Sequence, residues 1–175
     1  ACKKGYFSIV KLLIENGAYI NAENYYAKNT PLHIACLNGY FNIVKLLIEY
    51  KADLNSTNNL KETPLYLACE NKRFDIVKLL IQNKCDVNIK AYREKTPLHV
   101  VCENGHFGIV KLLIENKCDV NSKDISKETP LHIACRRGYL NIVDLLIEKN
   151  AKLDSRNRYK ETPLHLACSI GDFNI

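Results

Sequence analysis

One feature bounds what this chain can fold into: a heptapeptide returns at a fixed interval. TPLHIAC at Thr30–Cys36 is followed by TPLYLAC from Thr63, TPLHVVC from Thr96, TPLHIAC from Thr129 and TPLHLAC from Thr162, each 33 residues after the one before. A second block keeps the same phase: GYFSIVKLLIE from Gly5, GYFNIVKLLIE from Gly39, RFDIVKLLIQ from Arg73, GHFGIVKLLIE from Gly105 and GYLNIVDLLIE from Gly138. Self-similarity at a period of about 20 to 50 residues marks a stacked repeat, in which each unit buries its apolar face only against its neighbours. With 175 residues, 47% of them apolar, the chain suffices for one domain or a short array, and a disordered tail is excluded.

Within one period the local signals are consistent. Thr63 can cap the free N–H groups of a helix whose first position is Pro64, where a missing N–H costs little. That helix runs for about two turns through Leu65, Leu67, Ala68 and Cys69, and in most copies it stops at a glycine such as Gly39 or Gly105, suited to a left-handed cap. A second, greasier helix follows, with Ile109, Val110, Leu112, Leu113 and Ile114 apolar at helical spacing and Lys111 and Glu115 facing out. Next come roughly a dozen residues rich in Asn, Asp, Lys and Ser, such as residues 88–95, which read as an exposed extended turn or hairpin. The copy at residues 21–29 is one residue longer, an insertion expected to disturb no packing.

These residues resemble the ankyrin repeat family, whose unit is 33 residues long with a T-P-L-H-x-A pattern, and the resemblance covers essentially the whole chain. It implies an all-α solenoid of stacked helix-turn-helix repeats with projecting β-hairpin loops. The single array 1–175 would comprise a partial repeat at 1–24, full repeats at 25–57, 58–90, 91–123 and 124–156, and a partial repeat at 157–175. It also implies a concave groove and fingertips that bind another protein, without catalysis or cofactor. The chain departs from the family where a hairpin glycine is expected two residues before each Thr: here stand Lys28, Lys61, Glu94, Lys127 and Lys160. The glycine closing the longer helix survives as Gly17 and is otherwise replaced by Lys51, Lys84, Lys117 and Asn150. A positive φ with a side chain costs about 1 kcal/mol, so the turn geometry at these sites is expected to differ while the fold is kept. Smaller departures are Tyr66 for His, Val101 for Ala and Lys72 for Gly, each in one repeat.

Eight cysteines suggest redox or metal chemistry until the period is applied. Cys2, Cys36, Cys69, Cys102, Cys135 and Cys168 then fall at one helical position, and Cys85 and Cys118 take a small-residue place held by Ala18. Equivalent residues on packed helices lie about 8 to 10 Å apart, beyond the roughly 7 Å a disulfide tolerates, so free thiols in a reducing compartment, the cytoplasm first, are expected. No CxxC pair of the kind zinc sites use is present. His33, His99, His132 and His165 also share one position, which points to hydrogen bonding between neighbouring repeats, with Tyr66 substituting through its hydroxyl. His106 stands apart from them, in the place of Tyr40 and Tyr139, and reads as surface packing.

Function is expected where copies differ. The variable fingertips give Tyr26, Leu60, Tyr92, Arg93, Ile125, Arg158 and Tyr159 as partner-binding residues, because exposed Tyr and Arg combine large area with polar ends. On the short helices Arg136 and Arg137 join them, with Lys123, Arg156 and Arg158 nearby, while Glu62, Glu70 and Glu103 temper the middle of the groove. An unidentified, acidic protein or peptide is the expected partner. The balance of Lys+Arg 25 against Asp+Glu 19, a net +6, keeps a nucleic acid or other polyanion as the alternative, although the charge forms no contiguous stripe; a passive spacer is the third reading. Each IVKLLI run carries a lysine, so membrane insertion is excluded. The sequence lacks Met and opens and closes within repeats, so it reads as a fragment, with further repeats beyond it or end-to-end stacking between copies.

Overall fold

The computed structural model describes residues 6–170. Two kinds of helix alternate along them. The short ones, each opened by a Thr-Pro-Leu, are α2 (Pro31–Asn38), α4 (Pro64–Glu70), α6 (Pro97–Glu103), α8 (Pro130–Arg137) and α10 (Pro163–Ile170). The long ones are α1 (Phe7–Glu15), α3 (Phe41–Glu49), α5 (Phe74–Gln82), α7 (Phe107–Glu115) and α9 (Leu140–Glu148). The chain divides into two compact units, Ala1–Ala91 and Tyr92–Ile175. In each, a short helix packs on the long helix after it (α2 on α3, α4 on α5, α6 on α7, α8 on α9) and on the short helix of the next repeat (α2 on α4; α6 on α8 on α10). Leu32, Ala35, Cys36, Ile43, Val44 and Leu47 fill the core of the first unit, and Leu98, Cys102, Ile109, Val110, Leu113 and Leu131 that of the second.

Each short helix begins where a threonine turns the chain into Pro. Thr63 Oγ1 accepts the Tyr66 N–H at 3.1 Å, and Thr129 Oγ1 accepts that of His132 at 3.4 Å. Gly39 and Gly138 then end α2 and α8 in the left-handed region, with φ of 81° and 71°. The long helices end in a paired hydrogen-bond closure. Lys84 N–H bonds the Ile81 carbonyl at 2.9 Å and Cys85 N–H the Leu80 carbonyl at 3.3 Å, and the same pair recurs at Gly17, Lys51, Lys117 and Asn150.

This closure overturns the expectation that lysine would alter the turns. Lys51, Lys84, Lys117 and Asn150 hold φ between 62° and 64°, and the fingertip residues Lys28, Lys61, Glu94, Lys127 and Lys160 hold φ between 54° and 63°. Lys72, in the short-helix glycine position, is left-handed too, at 56°. The hydrogen bonds and the packing on either side dictate the backbone, and the side chain accepts the strain.

The fingers follow a hairpin path, but no β-strand forms among the described residues. Four of them close on a backbone bond of one kind, such as Asn58 N–H to the Glu62 carbonyl at 3.0 Å or Asp124 N–H to the Glu128 carbonyl at 3.0 Å, with a tight turn bond inside it such as Lys61 N–H to Asn58 O at 2.9 Å, which leaves no room for a ladder. Cys2, Lys3 and Lys4, with both chain ends, lie outside the described residues, so the expectations resting on them are not addressed.

Candidate partner-binding surface

The base of each finger is a polar network fixed by the repeated histidine. Thr30 N–H (3.2 Å) and the Thr30 hydroxyl (2.8 Å) meet His33 Nδ1, so Nδ1 accepts and Nε2 carries the proton, which it donates to the Glu62 carbonyl of the next finger at 3.0 Å. His99 reaches Glu128 O at 3.1 Å and His132 reaches Glu161 O at 3.2 Å in the same way. Burial holds the pKa of His33 and of His132 below the ordinary imidazole value, which keeps this tautomer neutral. The recurring histidine is a strut between repeats.

An aspartate or asparagine five residues before the threonine builds the tip, a role sequence reasoning did not assign. Asn58 Oδ1 accepts the N–H groups of Leu60 (2.9 Å) and Glu62 (3.0 Å); Asp124 does so for Ser126 and Glu128, and Asn157 for Tyr159 and Glu161. Asn58, Asp124 and Asn157 are buried, and their recurrence at the period was the available signal. In the longer loop Asn24 takes this part, accepting from Ala27 and Asn29, and the extra residue adds to the exposed tip. Ala91 occupies the same place in the finger before Thr96, and there the tip is a tight turn over Tyr92–Glu94 with both Arg93 and Glu94 left-handed at φ 59°.

Neighbouring tips are tied by backbone bonds: Asn59 N–H to Ala27 O at 3.0 Å in the first unit, Ile125 N–H to Arg93 O and Arg158 N–H to Ser126 O, each 2.9 Å, in the second. Tyr26, Leu60, Tyr92, Arg93, Ile125, Arg158 and Tyr159 all stand exposed on these tied loops, Tyr26 at 89%. Tyr25 is equally exposed and packs edge-on against Tyr26 with ring centroids 5.3 Å apart; it lies five residues before Thr30, outside the variable positions three and four before each threonine.

Arg136 and Arg137 differ from the tips. Arg136 grips Glu128 with both terminal guanidinium nitrogens, Nη2 lying 2.8 Å from Oε2, and Arg137 Nη2 lies 3.1 Å from Oε1 of Glu103, whose Oε2 pairs with Lys95. Burial pushes the Glu128 and Glu103 carboxyls up, yet these cations outweigh it and hold both below the usual range. The groove charge expected from Arg136 and Arg137 is thus largely answered within the protein. Exposed Arg93, Lys127, Arg156, Arg158 and Lys160 make no such pair among the described residues, so in the second unit unanswered positive charge lies on the fingers.

The thiols are held for packing. Burial raises those of Cys36 and Cys102 well beyond their ordinary value, those of Cys85 and Cys118 to about 12, and that of Cys135 to about 11. All five stay protonated at neutral pH and lack the nucleophilicity a thiolate would have. Among the described residues no group of three His, Cys, Asp or Glu side chains could hold a metal ion, and no helix is long and apolar enough to cross a membrane.

A family model for ankyrin repeats (three copies) matches residues 1–91, 54–124 and 98–175. No curated protein matches the chain.

Proposed function

Because the chain belongs to the ankyrin repeat family, whose members generally serve as protein–protein interaction modules and are typically non-catalytic, we propose that it binds a partner protein or peptide along its finger tips, with the short-helix groove beside them. The observation that carries this reading is the contrast between a buried, hydrogen-bonded finger base and exposed apolar and cationic tips held in place by backbone bonds. A rigid loop loses little entropy on binding, so its Tyr, Leu, Ile and Arg side chains can act as anchors. Tyr26 and Leu60 serve this purpose on the first unit; Tyr92, Arg93, Ile125, Arg158 and Tyr159 serve it on the second. Arg136 and Arg137 form the groove edge, where their ion pairs leave them to orient a partner more than to attract it. The partner is acidic, matching the tip cations, and buried free cysteines favour a reducing, intracellular setting, the cytoplasm first.

The test is fluorescence anisotropy with a labelled synthetic peptide of alternating Glu and Leu, its Gln-for-Glu counterpart and a single-stranded oligonucleotide. Preference for the acidic peptide, with at least about a tenfold loss in Arg93→Glu/Arg158→Glu, supports the reading. Equal affinity for the acidic peptide and its Gln-for-Glu counterpart removes charge from the recognition, and oligonucleotide binding at least as tight as the acidic peptide's, weakening steeply with salt, assigns the tips to polyanions in general. No binding by any of them, with a fold confirmed by circular dichroism, leaves the spacer reading in place of this one.

A further inference from the structure

The three fingers of the second unit repeat at a fixed step. Two bonds of the same sequence offset tie their tips, Ile125 N–H to Arg93 O and Arg158 N–H to Ser126 O, and two histidines of the same offset tie their bases, His99 to Glu128 O and His132 to Glu161 O. Behind them α6, α8 and α10 pack in that order, and packed helices stand about 8 to 10 Å apart, so the tips recur at about the same interval.

Each tip sets a cation beside an apolar side chain: Tyr92 with Arg93, Ile125 with Lys127, and Tyr159 with Arg158 and Lys160, all exposed. Those cations form no ion pair among the described residues, and Glu94 is the one acidic side chain in residues 92–94, 125–127 and 158–160. The backbone groups that join the tips occupy one another, and no strand edge forms among the described residues, so a partner meets side chains and not a β ladder.

The step selects the partner's conformation. In a β-strand the residues of one face recur at about 6.6 Å and then at about 13 Å, on either side of the interval between tips. In an α-helix the seventh residue returns to the same face at about 10.5 Å, past the upper edge of the interval, and the mismatch grows from finger to finger. In a polyproline II segment every third residue lies on one face at about 9.3 Å, inside the interval. Such segments also dock on aromatic-lined surfaces, which Tyr92 and Tyr159 supply.

Resting on the reading of the tips as a surface for an acidic partner, we propose that the second unit's fingers take a polyproline II segment with an acidic residue at every third position, one per finger, and prolines between them against Tyr92, Ile125 and Tyr159. Successive carboxylates meet Arg93, Lys127, and Arg158 with Lys160, whose long stems absorb their offsets along the tips. The segment is extended before it binds, so ordering it costs little.

Three labelled nonapeptides of one composition, three Glu and six Pro, test this by fluorescence anisotropy. They carry Glu at every second, every third or every fourth position from the first residue. The peptide with Glu at every third position is expected to bind at least about fivefold more tightly than either of the others. Lys127→Glu should weaken that peptide at least about tenfold, and a Lys in place of the peptide's middle Glu should restore most of the loss. The backbone accepts a glutamate at this place, since Glu94 and Lys127 both hold φ 59°, and circular dichroism melting checks that the variant folds. Equal affinity for the three spacings, tighter binding of an Ala-based helix with Glu at every seventh position, or a charge swap that restores nothing would each overturn the proposal. The alternating Glu and Leu peptide separates this failure from that of the underlying reading. If it binds and is weakened by Arg93→Glu/Arg158→Glu while the nonapeptides show no order, the acidic partner stands and the three-residue register falls; if neither it nor any nonapeptide binds, both fall.

Discussion

At the base of a finger Thr129 and His132 are buried, capped and bonded to the following finger; four residues before Thr129, Ile125 stands half exposed and bonds the neighbouring loop through its backbone. The backbone is equally determined in both places, but at the tip the side chain that determines it is the buried Asp124 and not that of Ile125. This separates two sorts of sequence constraint. A base residue must supply a specific donor, acceptor or volume, so it returns in every copy; a tip residue has only to tolerate the conformation that Asn58, Asp124 or Asn157 imposes, which leaves its side chain available for recognition. The contrast is sharpest for packing: Leu113→Ala, at a fully buried site, is expected to cost about 2 to 5 kcal/mol in urea unfolding, while Leu60→Ala changes stability by less than about 0.5 kcal/mol. Similar losses at both sites would erase the distinction.

Next in size comes the strut. His132→Ala strands the Thr129 N–H and removes one of the two donors to the Glu161 carbonyl, which keeps the Asn157 N–H, at a cost of about 1 to 3 kcal/mol. It also changes the pH response. Burial lowers the folded-state pKa of His132 below its unfolded value, so the unfolded chain binds protons more readily; the contribution is complete above about pH 6.5 and is lost as pH falls toward the folded-state pKa. Stability of the wild-type chain measured between pH 7 and pH 5 should therefore fall more steeply than that of His132→Ala. Parallel curves would mean that the ring is not held neutral.

Much of this was legible in the sequence because the period compares each position with itself. Helix order, the cap threonines, the equivalent cysteines and the inter-repeat histidines all follow from residues that recur. Three things escaped. The left-handed lysines escaped because propensity is local, whereas the closure at Lys84 is imposed by bonds to Ile81 and Leu80. The loop role of Asn58, Asp124 and Asn157 recurs as plainly as the threonine, but its alternation between Asn and Asp, and its loss at Ala91, disguise it. The pairing of Arg136 with Glu128 joins residues eight apart on a finger and a helix, a distance no helical or strand spacing predicts.

That pairing changes what charge reversal can teach. Arg136→Glu/Arg137→Glu would face Glu128 and Glu103 with like charge, so it should lower stability by about 1 kcal/mol per pair or less, given that both arginines are partly exposed, and added salt should restore part of the loss. Unchanged stability in low salt would place the two arginines with the tips, as free recognition residues. The left-handed lysines move stability the other way. Lys84→Gly relieves strain of about 1 kcal/mol and returns part of it as unfolded-state entropy, for a net gain between zero and about 1 kcal/mol, whereas Lys78→Gly inside α5 loses about 1 kcal/mol. A clear fall in Tm for Lys84→Gly would show that its side chain contributes more than its φ costs.

The smallest expected effect on stability is the most informative about binding. Tyr92 is exposed on a turn whose neighbours Arg93 and Glu94 are both left-handed, and no buried Asn or Asp organises that loop, because the position belongs to Ala91. Arg93 nevertheless has its carbonyl tied to Ile125, so the loop is anchored through backbone and not through the tyrosine ring. Tyr92→Ala should therefore shift the unfolding free energy by less than about 0.5 kcal/mol and leave the melting temperature within about a degree or two. In the anisotropy experiment the same variant should weaken the acidic peptide by roughly tenfold, the loss typical of one aromatic anchor. Lost stability with retained binding would show that the ring supports the loop, and the division between base and tip would then fail at this repeat.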